Sequence, residues 1–222
     1  LNSVDKREYV SNIYEKILLG DIVTRNSIRS ENGMRILIKK IASAVSNDVS
    51  YTKLYNSLKA IGFSLSKDTI INYCSYAIQG FLLFEIKNYY ASFVDKESNS
   101  KYYFSDNGIL NLFLDKNDTS LFENLVAIVL SEKYHEKLYY LKSSKTKIDI
   151  DFFIEEENIA IQACYSMDEI DTLEREVGQL KKLDETAPGK YKLSIITMDD
   201  SKTIPLESNK IQVIRLQDFL LQ

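Results

Sequence analysis

Asp149 and Asp151 alternate along Lys147-Ile-Asp-Ile-Asp-Phe-Phe-Ile154, and Gln162-Ala-Cys164 follows inside the apolar run Ile159 to Tyr165. Both runs are rich in β-branched and aromatic residues and read as buried strands. Metal-assisted cleavage of a phosphodiester needs carboxylates to hold a divalent ion and an ammonium to orient the attacking water. In such a strand pair the second strand supplies Glu-x-Lys, whereas here it supplies Gln162 and Cys164. An amide oxygen can still ligate Mg²⁺ but brings no charge, and a thiol cannot replace an ammonium. Each lost electrostatic contact of this type costs ~3 kcal/mol of transition-state stabilisation. Of the groups such chemistry needs from this strand pair, Asp151 remains. Lys142 or Lys145 could restore the missing cation only by reaching in from another strand.

Other reactive side chains read as structural. Arg175-Glu176 on a long amphipathic helix is expected to be a surface or interdomain ion pair, and Glu155-Glu-Glu157 a solvated hairpin tip. His135 has no second imidazole or cysteine cluster to join, which argues against zinc. Cys74 and Cys164 fall in apolar segments as two small buried thiols. They fit a reducing, cytoplasmic compartment.

At 222 residues and 45% hydrophobic, the chain can bury two modest cores. No run approaches the ~18 apolar residues of a membrane span, so no membrane partner is expected. The net charge of -4 hides an asymmetry: Leu1 to Val94 carries 12 basic and 8 acidic residues, Asp95 to Gln222 16 basic and 24 acidic. A phosphate backbone would be drawn to the first half and repelled on average by the second. The chain opens in charged helix-forming sequence without an initiator Met and has no Gly-x-x-x-x-Gly-Lys-[Ser/Thr] loop. A segment of a longer polypeptide, with no ATP hydrolysis of this kind of its own, is expected.

Helical periodicity runs from about Val4 to Leu19, with Gly20 as its C-terminal stop, and resumes at Met34, Leu37, Ile38, Ile41 and Val45. Ser50 should cap a helix with Leu54, Leu58 and Ile61 inward and Gly62 at its end, and Ser66 a second carrying Ile70, Ile71, Cys74, Ala77 and Ile78. Two capped helices around a glycine turn, followed by strands at Phe81 to Ile86 and Lys101 to Phe104 around a polar loop, make a winged helix. Its second helix would present Lys67, Asp68, Asn72, Ser75 and Gln79, a weak reading face with no arginine. Lys39, Lys40, Lys67, Asn72 and Gln79 are the candidate contacts to duplex DNA. Tyr89, Tyr90, Tyr102 and Tyr103 could stack on bases, although strand tyrosines usually pack. From Ser120 the order becomes αβββαβ: a helix to about Lys133, strands at Leu138 to Leu141, Ile148 to Ile154 and Ile159 to Tyr165, a helix with Ile170, Leu173, Val177, Leu180 and Leu183 inward, and a strand at Tyr191 to Thr197. Ile211 to Ile214 should add an edge strand and Leu216 to Leu221 a closing helix.

Eight segments together resemble one family. They are Gly20 to Arg25, Thr69 to Tyr73, Lys101 to Gly108, Phe122-Glu-Asn124, Asp149 to Phe152, Ile161-Gln162, Arg175-Glu176 with Leu180, and Asp218 to Leu221. In this order and spacing they look like the C-terminal region of bacterial and archaeal AAA+-type P-loop ATPases, in which a winged helix and a PD-(D/E)XK restriction-endonuclease-like domain follow the ATPase core. The resemblance implies an α/β (α+β overall) fold: opening helix and linker at 1–32, winged-helix module at 33–106, and a restriction-endonuclease-like mixed-sheet domain at 107–222. Carried over residue by residue, it implies a vestigial nuclease site of Glu123, Asp151, Gln162 and Cys164, with Glu123 and Asp151 as the remaining metal ligands. It also implies the chain's own ATPase domain as partner, with ATP and Mg²⁺ for the intact protein and no cofactor in this segment. The expected function is a non-catalytic regulatory and interaction module. The alternatives are a Mg²⁺- or Mn²⁺-dependent nuclease with a displaced lysine and a sequence-tolerant DNA-binding module; a homo-oligomer is compatible with each.

Overall fold

A computed structural model describes residues 3–115, 117–168 and 170–221; the side chains of Ser3, Val4 and Ile170, two of them expected helix positions, lie outside the described residues. The chain is mixed α/β and divides into two compact units. The first comprises Leu1–Glu85 with Glu97–Asn117, the second Ile86–Lys96 with Asp118–Gln222. No helix among the described residues is long and apolar enough to cross a membrane.

The first unit opens with α1 (Ser3–Lys16), which passes directly into a π-helix over Ile17–Thr24. Gly20 therefore does not end the helix as its sequence position implied. Leu18 and Ile22 are both fully buried, and continuing the helix keeps both in the core. A side chain at Gly20 would meet nothing within 4 Å, so no glycine is demanded there. Helix α2 (Glu31–Ala42) is capped by the Ser30 hydroxyl, which accepts from Gly33 N, and buries Met34, Leu37, Ile38 and Ile41. A short strand β1 (Asp48–Ser50), too brief to show as alternation, precedes α3 (Tyr51–Ala60).

Both expected caps form. Ser50 accepts from Lys53 N at 3.2 Å and Ser66 from Thr69 N at 3.0 Å. Gly62 makes the turn at φ +87° that other residues resist, and α4 (Lys67–Gln79) follows, burying Ile70, Tyr73, Cys74 and Ala77. Two expected core positions are displaced: Ile61 is 60% exposed as the residue ending α3, and Ile71 is 39% exposed on the outer face of α4. Gly80 follows α4 because a Cβ there would come within 2.7 Å of the buried Ile22 side chain.

Strands β2 (Leu83–Asn88) and β3 (Asn99–Phe104) form as expected, but their connection is not only a polar loop: α5 (Phe93–Ser98) folds within it. In the first unit β3 pairs antiparallel with β1, Val49 opposite Ser100, and β2 lies on its other side. Tyr102 and Tyr103 are buried packing residues, with Phe84 stacked on Tyr103 at 5.7 Å. A four-residue helix α6 (Asn107–Leu110), capped by Asp106, closes the unit.

The second unit contains α7 (Asp118–Tyr134), β4 (Leu138–Ser143), β5 (Ile148–Ile154), β6 (Ile159–Ala163), α8 (Ile170–Thr186), β7 (Lys192–Thr197), β8 (Lys202–Pro205), β9 (Lys210–Arg215) and α9 (Leu216–Leu220). Its sheet is mixed: the end of β2 runs parallel to β4, β4–β5–β6 is an antiparallel meander, β7 runs parallel to both β6 and β9, and β8 returns antiparallel on β9. The expected edge strand β9 is thus internal, and β8 takes the edge. Its polar, half-exposed Lys-Thr-Ile-Pro gives no alternation to read, and Pro205 with Lys202 discourages further pairing at that edge. A core of Leu141, Ile150, Phe153, Leu180, Leu183, Ile195 and Ile211 lies between the sheet and α8.

The hairpin tip Glu155-Glu-Glu157 is exposed, yet each glutamate is held. Tyr89 donates to Glu155 at 2.5 Å, Lys137 pairs with Glu156 at 2.8 Å, and Tyr134 hydrogen-bonds Glu157. Bonding to Glu155 pushes the Tyr89 phenol up to about 12.

Candidate functional site

Strands β5 and β6 pair only at Phe152, Phe153 and Ile154 against Ile161, Ala160 and Ile159. Toward Asp149 the hairpin opens, while β6 stays paired with β7 on its other edge: Gln162 sits beside Ile195, Ala163 beside Ile196, and Cys164 N donates to Ile196 O at 2.9 Å. Splaying would strand the backbone of β5, and buried backbone groups must find partners. Two glutamine side chains supply them. Gln162 Oε1 accepts from Asp151 N at 2.8 Å, its Nε2 donates to Asp149 O at 3.1 Å, and Gln179 Oε1 of α8 accepts from Asp149 N at 3.0 Å.

The second hydrogen of Gln162 Nε2 goes to Glu176 Oε2 at 2.9 Å. Gln162 therefore uses its oxygen and both amide hydrogens on this protein. The amide cannot be turned over, since that would set its NH₂ against the Asp151 N–H and its oxygen against a carbonyl and a carboxylate. Glu176 is 7% exposed and accepts on its other oxygen from Arg175 Nε at 3.0 Å and Nη2 at 2.7 Å. Asp151 Oδ2 accepts from Ala163 N at 3.1 Å.

These groups border an open cleft of about 330 Å³ lined by Thr119, Ala163, Cys164, Tyr165, Ser166, Asp168, Thr172, Arg175 and Glu176. Thr172, Glu176 and Gln179 fall on one stripe of α8, which is why a single helix supplies both the cleft wall and the β5 contact. Glu123 lies one turn beyond Thr119 on α7 and is buried, and Phe122 packs edge-on against Tyr165 at 5.9 Å. The structure thus gathers Asp151, Gln162 and Cys164 at one place, with Glu123 on the adjoining stripe of α7. Glu123, Asp151 and Glu176 each have interaction partners within the protein. Among the described residues no group of three His, Cys, Asp or Glu side chains is arranged to hold a metal ion.

Two readings of this region are corrected. The Arg175–Glu176 ion pair forms, but only Arg175 lies at the surface: Glu176 is buried, its second oxygen accepting from the Gln162 amide. The cation at the cleft is its neighbour Arg175, not Lys142 or Lys145. Lys142 reaches Asp149 at 3.7 Å on the exposed side of β4, and Lys145 stands exposed in the β4–β5 turn. Hydrogen bonds to Glu176 raise the Arg175 guanidinium further above its usual value. Burial, reinforced by the Glu176 charge, pushes the Cys164 thiol up to about 11; burial does the same to Cys74, up to about 12.

A thiol whose folded value is raised favours the protonated folded form, so its contribution is intact below about pH 9 and is lost as pH rises toward 11 and 12. At pH 8, a disulfide-exchange reagent is therefore expected to titrate neither cysteine in the folded protein and both after denaturation. Rapid reaction of Cys164 under native conditions would contradict this.

The DNA-contact candidates occupy two helices of the first unit. Lys39 and Lys40 lie in the last turn of α2, and Lys67, Asn72 and Gln79 are exposed on α4, where Gln79 donates to Ser75 Oγ at 3.0 Å.

The chain is 31% identical over 202 residues to an uncharacterized protein of Methanocaldococcus jannaschii, covering 88% of this chain and 45% of the relative. It is 26% identical over 223 aligned residues to an uncharacterized protein of Haemophilus influenzae, covering 98% and 53%. The chain spans about half the length of these curated relatives. No solved structure gives a significant match. A family model matches residues 1–120, more than half of the sequence, and the chain belongs to the family that this model describes, Domain of unknown function (DUF8612).

Proposed function

We propose that the chain is a non-catalytic interaction module: a winged-helix unit for docking, joined to a restriction-endonuclease-like unit whose former metal site has become a hydrogen-bonded structural hub. The observation that carries this reading is the engagement of Gln162 within the protein. Its oxygen accepts from Asp151 N, its two amide hydrogens go to Asp149 O and Glu176, and the Glu176 carboxylate is bridged in turn to Arg175. A divalent ion at Gln162 or Glu176 would compete with the hydrogen bonds that hold the splayed strands and with the Arg175 charge beside Glu176, and Mg²⁺ sheds its water reluctantly. Glu123 and Asp151 would be left to bind the ion without a third carboxylate.

Attachment to an AAA+-type P-loop ATPase rests on the resemblance of the eight segments to that family's C-terminal region; the curated relatives, about twice this length, leave room for a further domain. In that setting the module would serve its own ATPase domain, and ATP and Mg²⁺ would belong to that domain.

Calorimetric titration with Mn²⁺ tests the reading. The wild type and Asp151→Ala are expected to be indistinguishable, with no saturable binding up to 1 mM on the order of weak protein sites. Saturable uptake lost in Asp151→Ala would identify a working metal site and favour the nuclease alternative.

A further inference from the structure

Lys59 at the end of α3 and Lys67 at the start of α4 converge on one aromatic ring: their ammonium groups lie 5.7 Å and 5.9 Å from the centroid of Tyr55. The two charges are thus within roughly 12 Å of each other, near the ~8–10 Å screening length of physiological salt. Among the described residues neither ammonium is paired with a carboxylate. From Tyr51 to Gln79 the helix pair carries Lys53, Lys59 and Lys67 against a single acid, Asp68. Lys59 sits four residues from Tyr55 on α3, so the helix itself brings it to the ring, while Lys67 arrives across the Gly62 turn. The shared ring thus holds two exposed cations on one patch that a polyanion can face together.

We propose that Lys59 and Lys67, held by Tyr55, form a docking point for the phosphate backbone of a nucleic-acid duplex, bound without regard to sequence. This deepens the docking role in the proposed function and rests on it. A duplex offers one charge per ~1.7 Å along its axis, dense enough to face both ammonium groups together. The outward side of α4 argues against base reading: Asp68 and Ile71 stand beside Asn72, Ser75 and Gln79, Gln79 is bonded to Ser75, and no arginine is present. The contact therefore positions and does not specify.

The test is fluorescence anisotropy of a labelled random-sequence duplex across a salt series, with wild type, Lys59→Gln/Lys67→Gln and Tyr55→Phe. Wild type is expected to bind at 50 mM salt in the ~10⁻⁴–10⁻⁶ M range of non-specific contacts. The double variant should lose about 1.8 from the slope of log affinity against log salt, from ~0.9 per phosphate contact. Tyr55→Phe, which keeps the ring, should bind as wild type. Circular dichroism melting establishes that the exposed lysine changes leave the fold intact. Absence of duplex binding by wild type, an unchanged slope in the double variant, or displacement by poly-glutamate as effective as by duplex would each overturn the proposal. The Mn²⁺ titration is independent of these lysines, so the failure of one reading is distinguishable from that of the other.

Discussion

Replacing Gln162 by alanine is expected to destabilise the protein by about 4 kcal/mol, because one buried and two partly buried partners lose their bonds at ~1–3 kcal/mol each. Those partners are Asp151 N, Asp149 O and Glu176 Oε2. At ~2–4 °C per kcal/mol for a chain of this size, Tm should fall by about 10 °C. Gln162→Met keeps most of the volume and removes the polar contacts, so it should fall nearly as far and separate hydrogen bonding from cavity formation. A loss below ~1 kcal/mol in both variants, within the range of ordinary surface changes, would mean that the splayed strands do not depend on this amide.

Asp184→Ala should be the second large effect. Asp184 is 5% exposed at the end of α8; its Oδ1 accepts from Gly189 N at 3.1 Å and Asn209 Nδ2 at 2.8 Å, and its Oδ2 from Ser208 Oγ at 3.1 Å. One carboxylate thus ties the turn after α8 to the β8–β9 turn, and Asn209 continues the link to Tyr191 O at 2.9 Å. Bonds to a charged acceptor are worth ~1.5–3 kcal/mol, and the turns can recover part of the loss by hydration, leaving about 3 kcal/mol. Urea unfolding measures it. Hydrogen exchange of Gly189 and of β9 should accelerate before that of β5; uniform acceleration across the unit, or none, would refute a local tie.

Both hubs leave a trace in the sequence. The apolar period of α8 through Leu173, Val177, Leu180 and Leu183 places Glu176 and Asp184 on the same inward stripe, four residues before and four after Leu180. Charges at inward positions require partners, and Gln162 inside an apolar strand requires them equally. The Arg175-Glu176 dipeptide obscured this, since adjacent opposite charges also occur on exposed helices. Long periodic elements such as α4, β5 and α8 were legible because burial repeats along them. The short β1 and β8 were not, because three or four residues are too few to carry a period, and the π-helix was not, because Gly20 is chemically identical whether it stops a helix or lies within one. Gathering Asp151, Gln162 and Cys164 was anticipated from the two adjacent strands together with the nuclease-like pattern that the resemblance implies. The splay between β5 and β6, which decides what Gln162 does, leaves no mark in the apolar alternation of either strand.

The most direct measurement is cleavage of labelled plasmid and single-stranded DNA by the purified chain in Mg²⁺ and in Mn²⁺, beside Asp151→Ala. A structural hub predicts no cleavage above the metal-only background by either protein. Cleavage by the wild type that disappears in Asp151→Ala would show that Arg175 or another cation has replaced the missing lysine, and would contradict the account.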